Sequence, residues 1–200
     1  MASASGNFDC LNILIERGAD LEMLNSQGKN VFGTILDQDN AELFEVLFDL
    51  AMASDLTREN KEAGYFGIVH CAAMGGGPRC FELLLQKHKG REGEIINQYN
   101  NLVDRALPLH YAVLGGNEQV VRRILRSTSK NPNKEEKKNK ANAIKRMYYN
   151  SPTATKQGGV NAADSQGNTP LHFAVGSDNF KMTKLVSSFG GNALQPNASG

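Results

Sequence analysis

Four histidines, three cysteines, a glycine triplet and a lysine-rich stretch are the parts of this chain that could do chemistry. His70, His88, His110 and His172 are candidates for proton transfer or metal ligation, because only imidazole titrates near neutral pH unaided. Cys10, Cys71 and Cys80 are candidate nucleophiles, but a working thiol needs a neighbouring base and an oxyanion site. No such set stands out along the chain. An odd cysteine count without C-x-x-C spacing fits neither a disulfide framework nor a structural zinc site. Gly75-Gly76-Gly77 with Arg79 could cradle a phosphate. A P-loop, however, needs a strand before it and Gly-Lys-Ser/Thr at its end, so this triplet reads as a turn. Lys138, Lys140, Lys145 and Arg146 could meet a nucleic acid, a phosphoinositide or an import receptor. Glu135-Glu136 dilutes that cluster, and aromatic residues on which bases could stack are few.

The frame that must hold these residues has the composition of an ordinary folded chain. Hydrophobic residues make up 40% and charged residues 22%, which excludes global disorder. A net charge of +1 excludes a protein that coats nucleic acid or membrane over its whole surface. No apolar run approaches the roughly 20 residues of a membrane span, and Met1 to Gly6 does not resemble a signal peptide. The cysteine usage points to a reducing, cytoplasmic setting.

The chemistry-bearing residues recur with a period. The fullest copy runs Val160-Asn161-Ala162-Ala163-Asp164-Ser165-Gln166-Gly167-Asn168-Thr169-Pro170-Leu171-His172-Phe173-Ala174. A second reads Leu107-Pro108-Leu109-His110-Tyr111-Ala112, then Val120-Val121 and Ile124-Leu125. A third keeps Val69-His70-Cys71-Ala72-Ala73 and Leu83-Leu84-Leu85. Two worn copies lie at Gly6 to Glu22 and Asp39 to Phe48. The turn before the second helix falls at Gly6, Asp39, Gly76, Gly116 and Asp178, in steps of 33, 37, 40 and 62. Intact units carrying insertions give that series. These copies resemble the ankyrin repeat, a unit of about 33 residues with a T-P-L-H-x-A signature, which Thr169 to Ala174 matches in full.

The resemblance implies an all-α solenoid of about five stacked helix-turn-helix units with short β-turn fingers. Pro108 and Pro170 suit the first helical turn, where a missing N–H costs nothing, and Thr169 is placed to cap. Leu171, Ala174 and Val175 share one side of the first helix. In the family the signature imidazole hydrogen-bonds backbone between neighbouring loops, so His70, His110 and His172 are expected to be structural. His88 reads as a solvated helix-end residue. Cys10, Cys80 and Val120 share a register expected to be core.

Residues 1–126 read as repeats with the first truncated, 127–158 as a basic, partly helical insertion, and 159–200 as a final repeat. No polar capping face is evident, so the chain is expected to be a piece of a longer array or a multidomain protein. Within the insertion, Ser127-Thr128-Ser129 reads as loop and Lys134 to Tyr149 as helix, with Ala141, Ile144, Met147 and Tyr148 on one side. Three readings stand: a helix docked on the array, a partner-binding feature, or a patch for nucleic acid or anionic lipid.

What the resemblance implies for function is a protein-interaction scaffold that binds a partner protein on its concave face. By position, its contacts would be Gln27, Lys29, Gln38, Tyr65, Met74, Tyr99, Arg105, Leu114, Gln166 and Asn168. No catalysis, cofactor or metal is expected, and the chain is read as a monomer. The alternative is a substrate-recruiting or positioning domain of a larger enzyme or secreted effector. The worn repeats and the insertion resemble the divergent ankyrin proteins that intracellular bacterial pathogens deliver into host cells.

Overall fold

The computed structural model describes residues 8–20, 23, 25–26, 30–53, 68–75, 77–97, 104–129 and 159–199. Among them are ten helices and no strand. They are α1 (Phe8–Glu16), α2 (Val31–Asp37), α3 (Ala41–Ala53), α4 (Ile68–Met74), α5 (Pro78–Lys87) and α6 (Glu92–Ile96), then α7 (Pro108–Leu114), α8 (Glu118–Ser129), α9 (Pro170–Gly176) and α10 (Phe180–Ser188). Four helix pairs, α2–α3, α4–α5, α7–α8 and α9–α10, each pack internally. The first helices α2, α4, α7 and α9 then stack in one row, and α3, α5 and α8 in another.

The reversal within a pair is set by one residue in the left-handed region: Asp39 (φ 50°), Gly116 (φ 71°) and Asp178 (φ 52°). These are positions of the sequence-derived turn; Gly6 and Gly76 lie outside the described residues. Aspartate and glycine tolerate that conformation better than other residues. The next residue caps the second helix. Side chains of Asn40, Asn117 and Asn179 accept the N–H of Leu43 (3.1 Å), Val120 (3.2 Å) and Met182 (3.1 Å).

The third unit has Gly77 at this place and no capping side chain of its own. Asp39 supplies one across the stack, accepting the Cys80 N–H at 2.9 Å. A Cβ at Gly77 would overlap the Asp39 carboxylate. Glycine is therefore what lets the neighbouring unit reach in.

The core is the sum of the seams. Phe44, Phe81 and Val121 occupy one register of the second helices, Leu47, Leu84 and Ile124 another, and all six are buried. Each fully buried side chain of this size stabilises by roughly 1.5–3 kcal/mol, and stacking is what buries them. Close approach of the first helices rests on Gly115, where a Cβ would overlap the Met74 carbonyl. On the second-helix row, Glu45 meets Lys87 at 3.4 Å and Arg123 meets Glu82 at 2.6 Å, half-exposed pairs that contribute little each.

Three sequence expectations change. Ser127-Thr128-Ser129 is helical: α8 runs through Ser129, with the Ser127 hydroxyl folded back to donate to the Arg123 carbonyl (3.0 Å) and the Thr128 hydroxyl to that of Leu125 (3.0 Å). Helix α6 was not foreseen; it fills the seven-residue excess before the fourth unit and packs on α5 and α8 through buried Ile96. Cys10 is exposed. Its register matches buried Cys80 and Val120, but those units have a first helix in front of the second, and residues 1–7 are outside the described set.

Candidate protein-binding surface

The surface is built on fingers and the first helices they feed. Three of the described fingers are each fixed by a side chain folded onto its own backbone. Asp164 Oδ1 accepts N–H bonds from Gln166 and Asn168, both at 2.8 Å. Asp104 Oδ1 accepts that of Ala106 at 2.9 Å, and Asn197 Oδ1 that of Ser199 at 3.0 Å. Neighbouring fingers are joined by backbone bonds, Ser165 N–H to Asp104 O (2.7 Å) and Ala198 N–H to Gln166 O (2.8 Å).

The histidine at the third helical position locks finger to helix. His110 Nδ1 accepts the Leu107 N–H at 3.0 Å, so the ring proton sits on Nε2. Nε2–H in turn faces the carbonyls of Ala162 (3.0 Å) and Asn168 (3.2 Å) in the next finger. Burial pushes the His110 pKa down, which keeps the ring neutral and preserves both roles. The same ring stands edge-on to Phe173 (centroids 5.3 Å apart), and His70 edge-on to Tyr111 (5.4 Å). These aromatics follow the signature histidine of the next unit, so two of the three steps of the first-helix row repeat one contact; at the step from α2 to α4 the histidine's place is held by Gly33.

His172 Nδ1 receives both the N–H (3.1 Å) and the hydroxyl (2.8 Å) of Thr169. Thr169 is thus the capping residue expected, but its hydroxyl serves the imidazole instead of the helix backbone. His88 is at a helix end as expected, yet half-buried: Nδ1 donates to the Leu84 carbonyl (2.9 Å) and the ring meets Phe48 edge-on. Burial first, then the Asp39 charge, pushes the Cys80 thiol up to about 12, the opposite of an activated nucleophile. Cys71 is half-buried against the core. Among the described residues no three His, Cys, Asp or Glu side chains come together as a metal site. No described helix is long and apolar enough to cross a membrane.

A family model described as ankyrin repeats, three copies, matches residues 69–197. The chain belongs to the ankyrin-repeat family. The match covers the third to fifth units of the ankyrin array; the second, Val31–Ala53, stacks in the same two rows beyond it. No curated protein matches the chain. Ankyrin repeats are in general protein–protein interaction modules.

The ankyrin frame places the candidate contacts. Gln38 is exposed just past α2, and Met74 and Leu114 end α4 and α7 at one register, half-buried and 46% exposed. Arg105 is exposed at a finger tip in the left-handed region (φ 56°). Gln166 is exposed on the next finger. The Asn168 side chain is engaged, donating to Asp164 (3.2 Å) and accepting from Asn197 (2.7 Å). Gln27, Lys29, Tyr65, Tyr99, Lys138, Lys140, Lys145 and Arg146 lie outside the described residues, as does the expected helix from Lys134 to Tyr149. Sequence reasoning passed over Asp104, whose other carboxylate oxygen accepts the Tyr111 hydroxyl at 3.0 Å and so fixes the turn carrying Arg105.

Proposed function

We propose that this ankyrin array is a scaffold that holds a partner protein along its first-helix row and finger tips. One observation carries the reading. Leu36, Ala73 and Val113 are all but inaccessible, whereas of the residues that follow them Asp37 and Leu114 are exposed and Met74 is half-buried at the edge of the core. Stacking consumes one side of the row and leaves a parallel strip over for contact. The fingers beside it are held by their own side-chain and backbone bonds, so their tips meet a partner with little entropy left to lose. Arg105 and Gln166 are the finger contacts in this reading, with Gln38, Met74, Leu114 and Asn168 on or beside the helices. Gln27, Lys29, Tyr65 and Tyr99 extend the set, the tyrosines as hot-spot types.

The test is affinity capture with cross-linking mass spectrometry, run on the wild-type chain and two variants. Changing Met74, Arg105, Leu114 and Gln166 together to alanine is expected to abolish capture of the cross-linked partner. Changing exposed Gln119 and Arg126 on α8 to alanine is expected to preserve it. The reverse pattern, loss on the α8 side alone, refutes the proposal.

A further inference from the structure

The second helices share a register, and in one of them an aliphatic place is taken by a charge. The sixth residue is Val46 in α3, Leu83 in α5 and Leu185 in α10, but Arg123 in α8. Its guanidinium is held by Glu82 of α5 (2.6 Å) and Glu92 of α6 (3.5 Å). An arginine fixed by its tip does not fill a seam as leucine does. A cleft of about 220 Å³ opens between α5 and α8 at this place. Buried Phe81 and Val120 form its floor, and Gln119, Arg123 and Arg126 its α8 wall. Helix pairs stack on both sides of the joint, α2–α3 on one and α9–α10 on the other, so the opening lies inside the array.

The charges around the cleft do not cancel. Each of the two helices carries one carboxylate, and both are engaged: Glu82 with Arg123, and Glu118 with Arg122 (2.7 Å). Arg126, exposed on the cleft wall, forms no ion pair among the described residues, and neither does exposed Arg79 in the first turn of α5. The rim is left positive above an apolar floor.

We propose that this cleft is a second protein-docking site, taking a short acidic segment of a partner protein. The segment sets one apolar side chain over Phe81 and Val120 and carboxylates beside Arg126. Rim and floor select the occupant together. Complementary charge brings the segment in and fixes its register. The floor favours a peptide, because a phosphate backbone or a lipid headgroup would use the rim and leave the apolar surface uncovered. The site lies on the second-helix row and does not rest on the reading of the first-helix strip.

The probe is a synthetic peptide of glutamates around one central leucine, titrated into the isotope-labelled full chain and followed by amide NMR. An all-glutamate peptide of equal length runs beside it. Saturable shifts are expected at Phe81, Gln119, Val120 and Arg126, with the leucine peptide binding about tenfold tighter because its side chain leaves water. Arg126→Glu should weaken binding about fivefold or more and leave the melting temperature unchanged, since this side chain is exposed. Arg123→Leu restores the residue type of the other units. It should fill the cleft and abolish the saturable shifts while the melting temperature holds or rises. Arg17→Glu, the same charge change just past α1, should change nothing. Absence of saturable shifts, indifference to Arg126→Glu, or an equal loss from Arg17→Glu each overturns the proposal. Equal binding by the all-glutamate peptide, or tighter binding by duplex DNA or by phosphatidylserine vesicles, overturns it in favour of a general anion surface.

Discussion

Substitutions at positions 39 and 77, made singly and together, test how the second and third units are joined. Alone, Gly77→Asn places a side chain inside the Asp39 carboxylate. That expels the cap that Asp39 provides to α5, at about 1 kcal/mol, and adds overpacking of about 1–3 kcal/mol. Alone, Asp39→Gly loses the same cap but relieves a left-handed aspartate (φ 50°), worth about 1 kcal/mol, so the net change is near zero. Together they clear the space and let the asparagine introduced by Gly77→Asn cap α5 from its own unit, as Asn40, Asn117 and Asn179 do in theirs. The double variant should then recover to within about 1 kcal/mol of wild type, a coupling of about 2 kcal/mol or more. Urea unfolding of all four proteins measures it. Additivity within about 0.5 kcal/mol refutes a cap shared across the stack.

Gly115→Ala should destabilise by about 1–3 kcal/mol in thermal melts, because its Cβ meets the Met74 carbonyl. The same change at Gly93 in α6, which has open space, should stabilise by up to about 1 kcal/mol. His110 has a folded pKa below its unfolded one, so the unfolded chain takes up that proton first as pH falls. Its contribution is thus fully present above about pH 6.5 and is lost below it, by at most about 1.4 kcal/mol per pH unit. Urea midpoints from pH 7.5 to 5 should decline more steeply for wild type than for His110→Gln. With iodoacetamide followed by mass spectrometry, exposed Cys10 should label first and Cys80 only on unfolding; fast labelling of Cys80 in the native chain contradicts its burial.

Much of the array was legible because its signals are local. A left-handed turn demands particular residues, so Asp39, Gly116 and Asp178 marked the period directly. The stripe Val120, Val121, Ile124 and Leu125 was equally plain, and all four are buried. What escaped depends on neighbours in space. Cys10 and Cys80 share a register, and only the packing around each separates them. The cap on α5 comes from 41 residues away. The contact strip was legible only as positions, since exposure at Leu114 says where a partner fits and nothing of which partner.

The joint between α7 and α9 has an implication for how this protein can change. It is closed by His110, Phe173 and the Ser165–Asp104 bond, groups that meet in space while the chain between the turns at Gly116 and Asp178 runs 62 residues. The named groups that close this joint lie at residues 104–110 and 162–173, so a change of sequence between Ser129 and Gly159 leaves each of them in the chain.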